Sequence, residues 1–204
     1  MNEESLMRSR IRKILMICSN YDAFALEEDG RIENQVRSEY RELNLSNPPK
    51  FIWANSSQQA REIVSSETEV DMIICMFNEQ DKGIFPFASE LKEEGRGIPF
   101  VLLIHYSKAV RQRVLESPRP GVDFVFSWHG NADLILAIVK LLEDAANADN
   151  DVFEVGVKGI LLVEDSIRYY SNYLPELYKI VLTQSREFLK ESLNEDQKKY
   201  RKRS

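Results

Sequence analysis

The sequence predicts an α/β domain in which five parallel strands alternate with five helices. Short, almost wholly apolar runs recur along the chain, and each is followed by a stretch with a helical pattern or length. Apolar runs of this kind are typical of strands that are covered on both faces of a sheet. Glycine, proline, serine and asparagine residues separate many of the runs from the helices, as expected for turns and helix caps.

The predicted elements can be assigned in order along the chain. The strands are 13–18, 51–55, 72–77, 98–106 and 122–128. The helices cover 23–45, where Gly30 weakens the middle, then a stretch that ends at about 64, followed by 86–94, 108–116 and 132–146. Ser56 or Ser57, Ser107 and Asn131 are the predicted N-caps, and Gly95 and Gly97 close the third helix. Pro48 and Pro49 stop the first helix, because a proline cannot continue one.

This alternation also predicts the topology. Right-handed crossovers place helices on both faces of the sheet, which makes a three-layer sandwich. We expect the flavodoxin-like strand order 2-1-3-4-5, with the functional crevice at the carboxyl ends of the strands, near strands one and three.

Composition excludes several classes of function. The 204 residues are 43% hydrophobic and 29% charged, with a net charge of −6. An acidic globular chain is a poor partner for nucleic acid or anionic lipid. The start of the chain lacks an apolar signal-peptide core, and even the longest uninterrupted apolar stretches, six residues at 72–77 and at 134–139, are too short to span a membrane. We therefore expect a cytoplasmic protein in which Cys18 and Cys75 are buried and reduced.

The end of the chain repeats its beginning. Residues 160–166, ILLVEDS, parallel ILMICSN at 14–20, and a helical pattern follows. The interpretation is a first domain at 12–147, an irregular linker at 148–158 and, at 159–204, the truncated first strand and long helix of a second copy. The helix carries an apolar stripe that we expect to contact the first domain or another protein: Tyr170, Leu174, Leu177, Val181 and Phe188.

The strand pattern and the ILLVEDS segment resemble the receiver domains of two-component response regulators. The resemblance implies an acidic pair after strand one that holds Mg²⁺, and an aspartate at the end of strand three that accepts the phosphoryl group. It also implies a hydroxyl residue after strand four and a lysine after strand five. Carboxylate oxygens suit a hard divalent cation, which neutralises phosphoryl charge.

None of these requirements is met when the receiver positions are carried over to the first domain. The matching residues are Cys18 and Ser19 for the acidic pair, Met76 for the acceptor, Ile104 for the hydroxyl and Trp128 for the lysine. Trp128 either fills the vacant pocket or presents a partner surface. Asp22, Asn78 and Asp81 are the remaining polar residues that could crowd the crevice. The first domain thus resembles a pseudo-receiver, which keeps the fold without the chemistry.

In the second segment Glu164 and Asp165 match the acidic pair, but they form an incomplete metal site. Mg²⁺ is therefore expected only in a complete second receiver, and no cofactor is expected for this chain. The segment from Val163 to Arg203 also resembles, more weakly, the tandem receiver region at the N-terminus of bacterial proteins related to phosphoenolpyruvate synthase and pyruvate phosphate dikinase.

Three hypotheses for function follow. The favoured one is a non-catalytic signalling module that acts through a protein partner, or through a homodimer formed by the C-terminal helix. A second is the N-terminal part of a phosphoacceptor response regulator, or of a phosphoenolpyruvate synthase-like enzyme, whose active parts lie beyond residue 204. A third is a flavin-binding or small-molecule domain, which the fold allows but which the lack of a phosphate loop after strand one disfavours.

Overall fold

A computed structural model describes residues 9–19, 31–42, 47–66, 69–105, 114, 118–130 and 132–201. Within these ranges the side chains of Arg31, Glu42 and residues 188–201 are not described.

The centre of the molecule is a five-stranded parallel sheet. Its strands are β1 (Lys13–Ile17), β2 (Lys50–Ala54), β3 (Met72–Met76), β4 (Phe100–His105) and β5 (Phe124–Trp128). They lie side by side in the order β2-β1-β3-β4-β5, and all neighbouring pairs are parallel. The flavodoxin-like topology predicted from the sequence is confirmed.

Five helices are described around this sheet. They are α1 (Arg31–Glu42), α2 (Ser57–Ser65), α3 (Ile84–Glu93), α4 (Ala132–Ala148) and α5 (Ile167–Arg201). The helix predicted at 108–116 and its cap Ser107 lie outside the described residues, except for Val114, which is helical and buried. The predicted cap Asn131 also lies outside them.

Each face of the sheet carries its own apolar core. Alternate residues of a strand point to opposite faces, so Ile14 and Met16 of β1 contribute to one core, and Leu15 and Ile17 contribute to the other. The first core is closed by α1, α4 and the start of α5, and the second by α2 and α3. Because strand residues are buried on both faces, the strands appear in the sequence as continuous apolar runs.

Two predicted helix ends are confirmed. The hydroxyl of Ser56 accepts a hydrogen bond from the Gln59 N–H at 3.3 Å, as an N-cap should. After α3, Gly95 adopts a φ of +69°, and the Arg96 N–H donates to the Leu91 carbonyl at 3.1 Å. A left-handed residue at this position is the usual way to end a helix, and glycine adopts it without steric cost.

The predicted irregular linker at 148–158 is wrong in its first half. Helix α4 continues to Ala148 and passes into a π-helix at Asp149–Glu154. The Asn147 side chain at this end is buried. It accepts a hydrogen bond from the Ser9 N–H and donates one to the Ser9 carbonyl. Contacts with a segment about 138 residues away in the chain hold this helix end, and a polar composition alone does not reveal them.

The predicted strand at 160–166 is also wrong, because residues 156–166 adopt no regular secondary structure. Ile160, Leu161 and Val163 are 65%, 87% and 82% exposed. A strand is stabilised by hydrogen bonds to a neighbouring strand, and the described sheet contains only β1 to β5. The interpretation of this segment as the start of a second domain stays a prediction.

Candidate functional site

The candidate crevice lies where β1 and β3 end side by side. The register places Ile17 opposite Cys75, so the next residues, Cys18 and Met76, are neighbours at the carboxyl edge of the sheet. Cys18 is 2% exposed and Met76 is 3% exposed. Both belong to the first apolar core. Of the three positions that would be acidic in a receiver, Cys18 and Met76 are therefore part of the packed interior, and Ser19 is partly buried.

Trp128 joins the same core from the end of β5. Its partner across the strand pair is His105, and its side chain is only 6% exposed. Ile104, at the hydroxyl position, is fully buried in the core on the opposite face of the sheet. Of the two interpretations offered for Trp128, this burial favours the indole as a filler of the pocket, since a side chain so enclosed has little surface for a partner.

The polar residues near the crevice are engaged elsewhere. The Asp81 carboxylate accepts hydrogen bonds from the Ser57 hydroxyl at 2.6 Å, from the Ser57 N–H at 2.7 Å and from the Gly83 N–H at 3.0 Å. Asn78 accepts a hydrogen bond from the Gln80 N–H in its own turn. Asp22 lies outside the described residues. Asp81 therefore anchors the start of α2 to the loop before α3.

The pKa of Asp81 reflects these bonds. Partial burial acts to raise the pKa of this carboxyl group, but the hydrogen bonds from Ser57 and Gly83 and the charge of Arg61 outweigh it, so the pKa lies below its ordinary value. Cys75 shows the opposite effect, since complete burial raises the pKa of its thiol well above the ordinary value. Thiolate chemistry is accordingly disfavoured there.

A receiver-like fold implies Mg²⁺, but the residues present at the crevice do not fit this ion. A hard cation prefers carboxylate and other oxygen ligands. The matching positions supply one hydroxyl, at Ser19, beside a thiol, a thioether, a sec-butyl side chain and an indole at Cys18, Met76, Ile104 and Trp128. Within the described ranges no cluster of three or more histidine, cysteine, aspartate or glutamate residues is arranged to hold a metal ion.

Glu164, the first residue of the acidic pair in the second segment, has a local structural role. Glu164 accepts a hydrogen bond from the Ser166 N–H at 2.9 Å, just before α5 begins, and Asp165 is exposed. A carboxylate at a helix N-terminus is favourable because it satisfies a free N–H and faces the positive end of the helix dipole.

The residues of the apolar stripe predicted on the C-terminal helix differ in how deeply they are buried. Tyr170 stacks on Phe126 with ring centroids 5.7 Å apart, and Leu174 is 1% exposed. Leu177 and Val181 are partly buried, and the side chain of Phe188 is not described. The first half of the stripe therefore belongs to the core of the domain.

Polar contacts complete the docking of α5. The Ser171 hydroxyl accepts a hydrogen bond from the Ser127 N–H of β5 at 2.8 Å, and the Tyr178 hydroxyl donates to Asp144 of α4 at 2.6 Å. Burial, and then this bond, raise the pKa of Tyr178, while burial is the main cause of a raised pKa at Asp144. Ser171, Tyr178 and Asp144 could not be identified from the sequence, since no periodicity marks which polar residue of a helix meets a partner.

In the portion of the chain that the structure describes, the helices all lack the combination of length and apolar character needed to cross a bilayer.

Comparisons with known proteins give matches only among solved structures. No family model matches the chain, and no curated protein matches it. The signal receiver domain of a signal transduction histidine kinase from Syntrophus aciditrophicus is 19% identical, with 75% of this chain and 99% of that chain covered and a TM-score of 0.47. The signal receiver domain of an HD domain-containing protein from Pseudomonas fluorescens Pf-5 is 14% identical, covers 70% of this chain and 94% of that chain, and has a TM-score of 0.48.

A two-component response regulator from Clostridium difficile is 18% identical, with 67% of this chain and 98% of that chain covered and a TM-score of 0.47. At these identities and TM-scores the matches carry no argument about function. The fold assignment depends on the strand order itself.

Proposed function

We propose that this chain is a cytoplasmic, non-catalytic signalling module that acts through protein–protein contacts. The observation that carries the proposal is the crevice, where Cys18, Met76 and Trp128 are buried in one apolar core. A pocket filled in this way offers neither a carboxylate for a cation nor an acceptor for a phosphoryl group. Regulation then depends on a partner that binds one conformation of the module better than another.

The proposed contact surface is the later part of α5, where the apolar stripe continues beyond Tyr178. Helix α5 has 35 residues and α4 has 17, so at 1.5 Å per residue α5 is longer by about 27 Å. Its first half is held by Leu174 and Tyr178. The apolar positions that continue the stripe, Val181 and Phe188, are the ones we assign to a protein partner or to a second copy of the helix.

Phosphorylation tests the absence of receiver chemistry. Incubation with acetyl phosphate and Mg²⁺, followed by intact mass measurement under conditions that preserve acyl phosphates, is expected to leave the mass unchanged. A stoichiometric gain of one phosphoryl group would contradict the proposal. A complete receiver domain with its acidic pair and acceptor aspartate serves as the positive control in the same reaction.

Cation binding gives an independent measurement. The chain contains two tryptophans, Trp53 and Trp128, so the variant Trp53→Phe leaves one indole, at the crevice. We expect its fluorescence to be the same with Mg²⁺ as with an equal ionic strength of Na⁺. A saturable change specific to Mg²⁺ would show that oxygen ligands reach the crevice and would refute the proposal.

The contact surface is tested on the helix. Val181→Glu combined with Phe188→Glu is expected to abolish binding of the α5-dependent partner or dimer. Lys179→Glu serves as the matched control, because it changes the net charge by the same amount at an exposed position on the opposite side of the helix. Size-exclusion chromatography with light scattering measures the molar mass and so detects a dimer. Equal behaviour of the two variants would remove α5 from the proposed surface.

Two alternatives lead to different observations. If Glu164 and Asp165 begin a phosphoacceptor domain of a longer protein, including one related to phosphoenolpyruvate synthase, that longer protein should take up phosphate from acetyl phosphate while residues 1–158 remain unlabelled. If the domain binds flavin, the purified protein should be yellow and release flavin on denaturation.

A further inference from the structure

The exposed apolar side chains are concentrated in one part of the chain. All large hydrophobic residues that are exposed in the described ranges lie between Val152 and Ile180. The most exposed ones belong to the segment without regular structure, where Leu161 and Val163 are 87% and 82% exposed. Its alternating burial, with Leu162 and Glu164 partly buried between exposed neighbours, is the period-two pattern of a strand. The segment thus has strand character without a strand partner in the described sheet.

The sheet has a complementary feature at β2. This strand is the first in the order and pairs only with β1 among the described strands. The Lys50 N–H donates to the Arg12 carbonyl, and the Ala54 carbonyl accepts from the Cys18 N–H, so Lys50, Ile52 and Ala54 use their backbone groups toward β1. The backbone groups of Phe51 and Trp53 then point away from the sheet. Such an edge is a template for another strand.

We propose that residues 160–164 of one copy of the chain add as an antiparallel strand to the β2 edge of a second copy. The segment ILLV repeats the ILMI of β1, the strand that already pairs with β2 on its other side. The same kind of apolar strand would thus flank β2 on both edges.

Charge and side-chain type select the register. An antiparallel pairing that sets Glu164 opposite Lys50 also sets Val163 opposite Phe51 and Leu161 opposite Trp53. Phe51 and Trp53 are partly buried and stack on each other with centroids 6.2 Å apart, so the two most exposed aliphatic side chains gain aromatic neighbours. Opposite charges and aromatic–aliphatic pairs across strands are both stabilising. In a parallel arrangement that sets Ile160 opposite Lys50, Glu164 would lie opposite Ala54. Lys50 would then have no acidic residue opposite it.

Each copy carries one donor segment and one acceptor edge, so two copies can pair reciprocally. Reciprocal exchange closes the assembly with two-fold symmetry and forms both strand additions at once. This interface is separate from the proposed α5 contact. A test that refutes the strand addition therefore leaves the proposed function standing.

Charge reversal tests the register. Light scattering of the whole chain across a concentration series should show a dimer. Lys50→Glu should raise the dissociation constant of this dimer by roughly tenfold. Adding Glu164→Lys to Lys50→Glu should restore the dimer, with Glu164→Lys alone as the matched single variant. A chain that stays monomeric at all concentrations, or a dimer indifferent to Lys50→Glu, would overturn the proposal. So would a dimer lost only in the Val181→Glu, Phe188→Glu variant.

Cross-linking between differently labelled copies gives an independent readout. One copy carries Lys50→Cys and the other carries Glu164→Cys, while native Cys18 and Cys75 are buried. Under mild oxidation the mixed sample should form a covalent heterodimer, because directly opposite residues lie within disulfide range. Asp165→Cys, on the other face of the added strand, is the control and should react far less. Equal cross-linking of Asp165→Cys and Glu164→Cys would refute the register, and no cross-link would refute the strand addition.

Discussion

The hydroxyl of Ser171 accepts a hydrogen bond from the backbone N–H of Ser127 at 2.8 Å, and the two residues are 44 positions apart. Ser171 lies on α5 and Ser127 lies on β5, the last strand of the sheet. The same hydroxyl donates to the Ile167 carbonyl at 2.6 Å. One small side chain therefore joins the C-terminal helix to the backbone of the edge strand.

Replacement of this serine is expected to destabilise the whole domain. Ser171→Ala removes the acceptor for a buried N–H, and we expect a loss of about 1 to 2 kcal/mol in the free energy of unfolding, measured by urea denaturation. Ser185→Ala is the matched control, since this exposed hydroxyl donates only to the Val181 carbonyl in its own helix. Its effect should stay within about 0.5 kcal/mol. Equal effects of the two substitutions would argue against the docked position of α5.

The apolar side of the same docking can be tested at Leu174. This side chain is 1% exposed in the first core, so Leu174→Ala should cost about 2 to 5 kcal/mol through lost burial and a residual cavity. Ile180→Ala is the control on the same helix, because Ile180 is 55% exposed and should change stability by about 0.5 kcal/mol or less. If the two alanine variants unfold at the same urea concentration, α5 does not contribute to the core in solution.

The anchor formed by Asp81 predicts a pH dependence. Because the pKa of Asp81 is lowered in the folded state, its stabilisation is complete above the pKa of the unfolded chain, about 4. It is lost as the pH falls through the lower folded value. At neutral pH, Asp81→Asn should cost about 1 kcal/mol, since water screens this partly exposed group.

The difference between Asp81→Asn and the unsubstituted chain should shrink on acidification below about pH 4. A double-mutant cycle with Ser57→Ala isolates the contribution of the 2.6 Å bond between the Ser57 hydroxyl and Asp81. A difference that stays constant from neutral to acidic pH would contradict the role assigned to the carboxylate.

Gly121 is expected to tolerate no side chain. Its φ is +78°, and an added Cβ would overlap the backbone carbonyl of Ala88, so Gly121→Ala combines backbone strain with a clash and should cost about 3 kcal/mol. Gly95→Ala supplies the matched control, because Gly95 has a φ of +69° with open space around it. It should cost only about 1 to 2 kcal/mol, from the left-handed conformation alone. Similar thermal denaturation midpoints would contradict the close approach of Gly121 to α3.

Local patterns in the sequence determined most of the sheet and the character of the crevice. Runs such as MIICM at Met72–Met76 identify a strand buried on both faces without any long-range information. Alternation with helices then restricts the topology to the few that right-handed crossovers allow. The resemblance to receiver domains singled out Cys18 and Met76, and their places at the ends of two parallel strands then bring them to one edge of the sheet.

Only the tertiary structure decided what the chain does after α4. The ILLV segment has the composition of a strand, yet it stays outside the described sheet because a strand forms only with a neighbour that supplies hydrogen bonds. The amphipathic pattern of α5 predicted an apolar face but not its target. Docking depends on the ring contact with Phe126 and on hydrogen-bond partners such as Ser127 and Asp144. Those contacts join residues far apart in the chain, and local propensity contains no information about them.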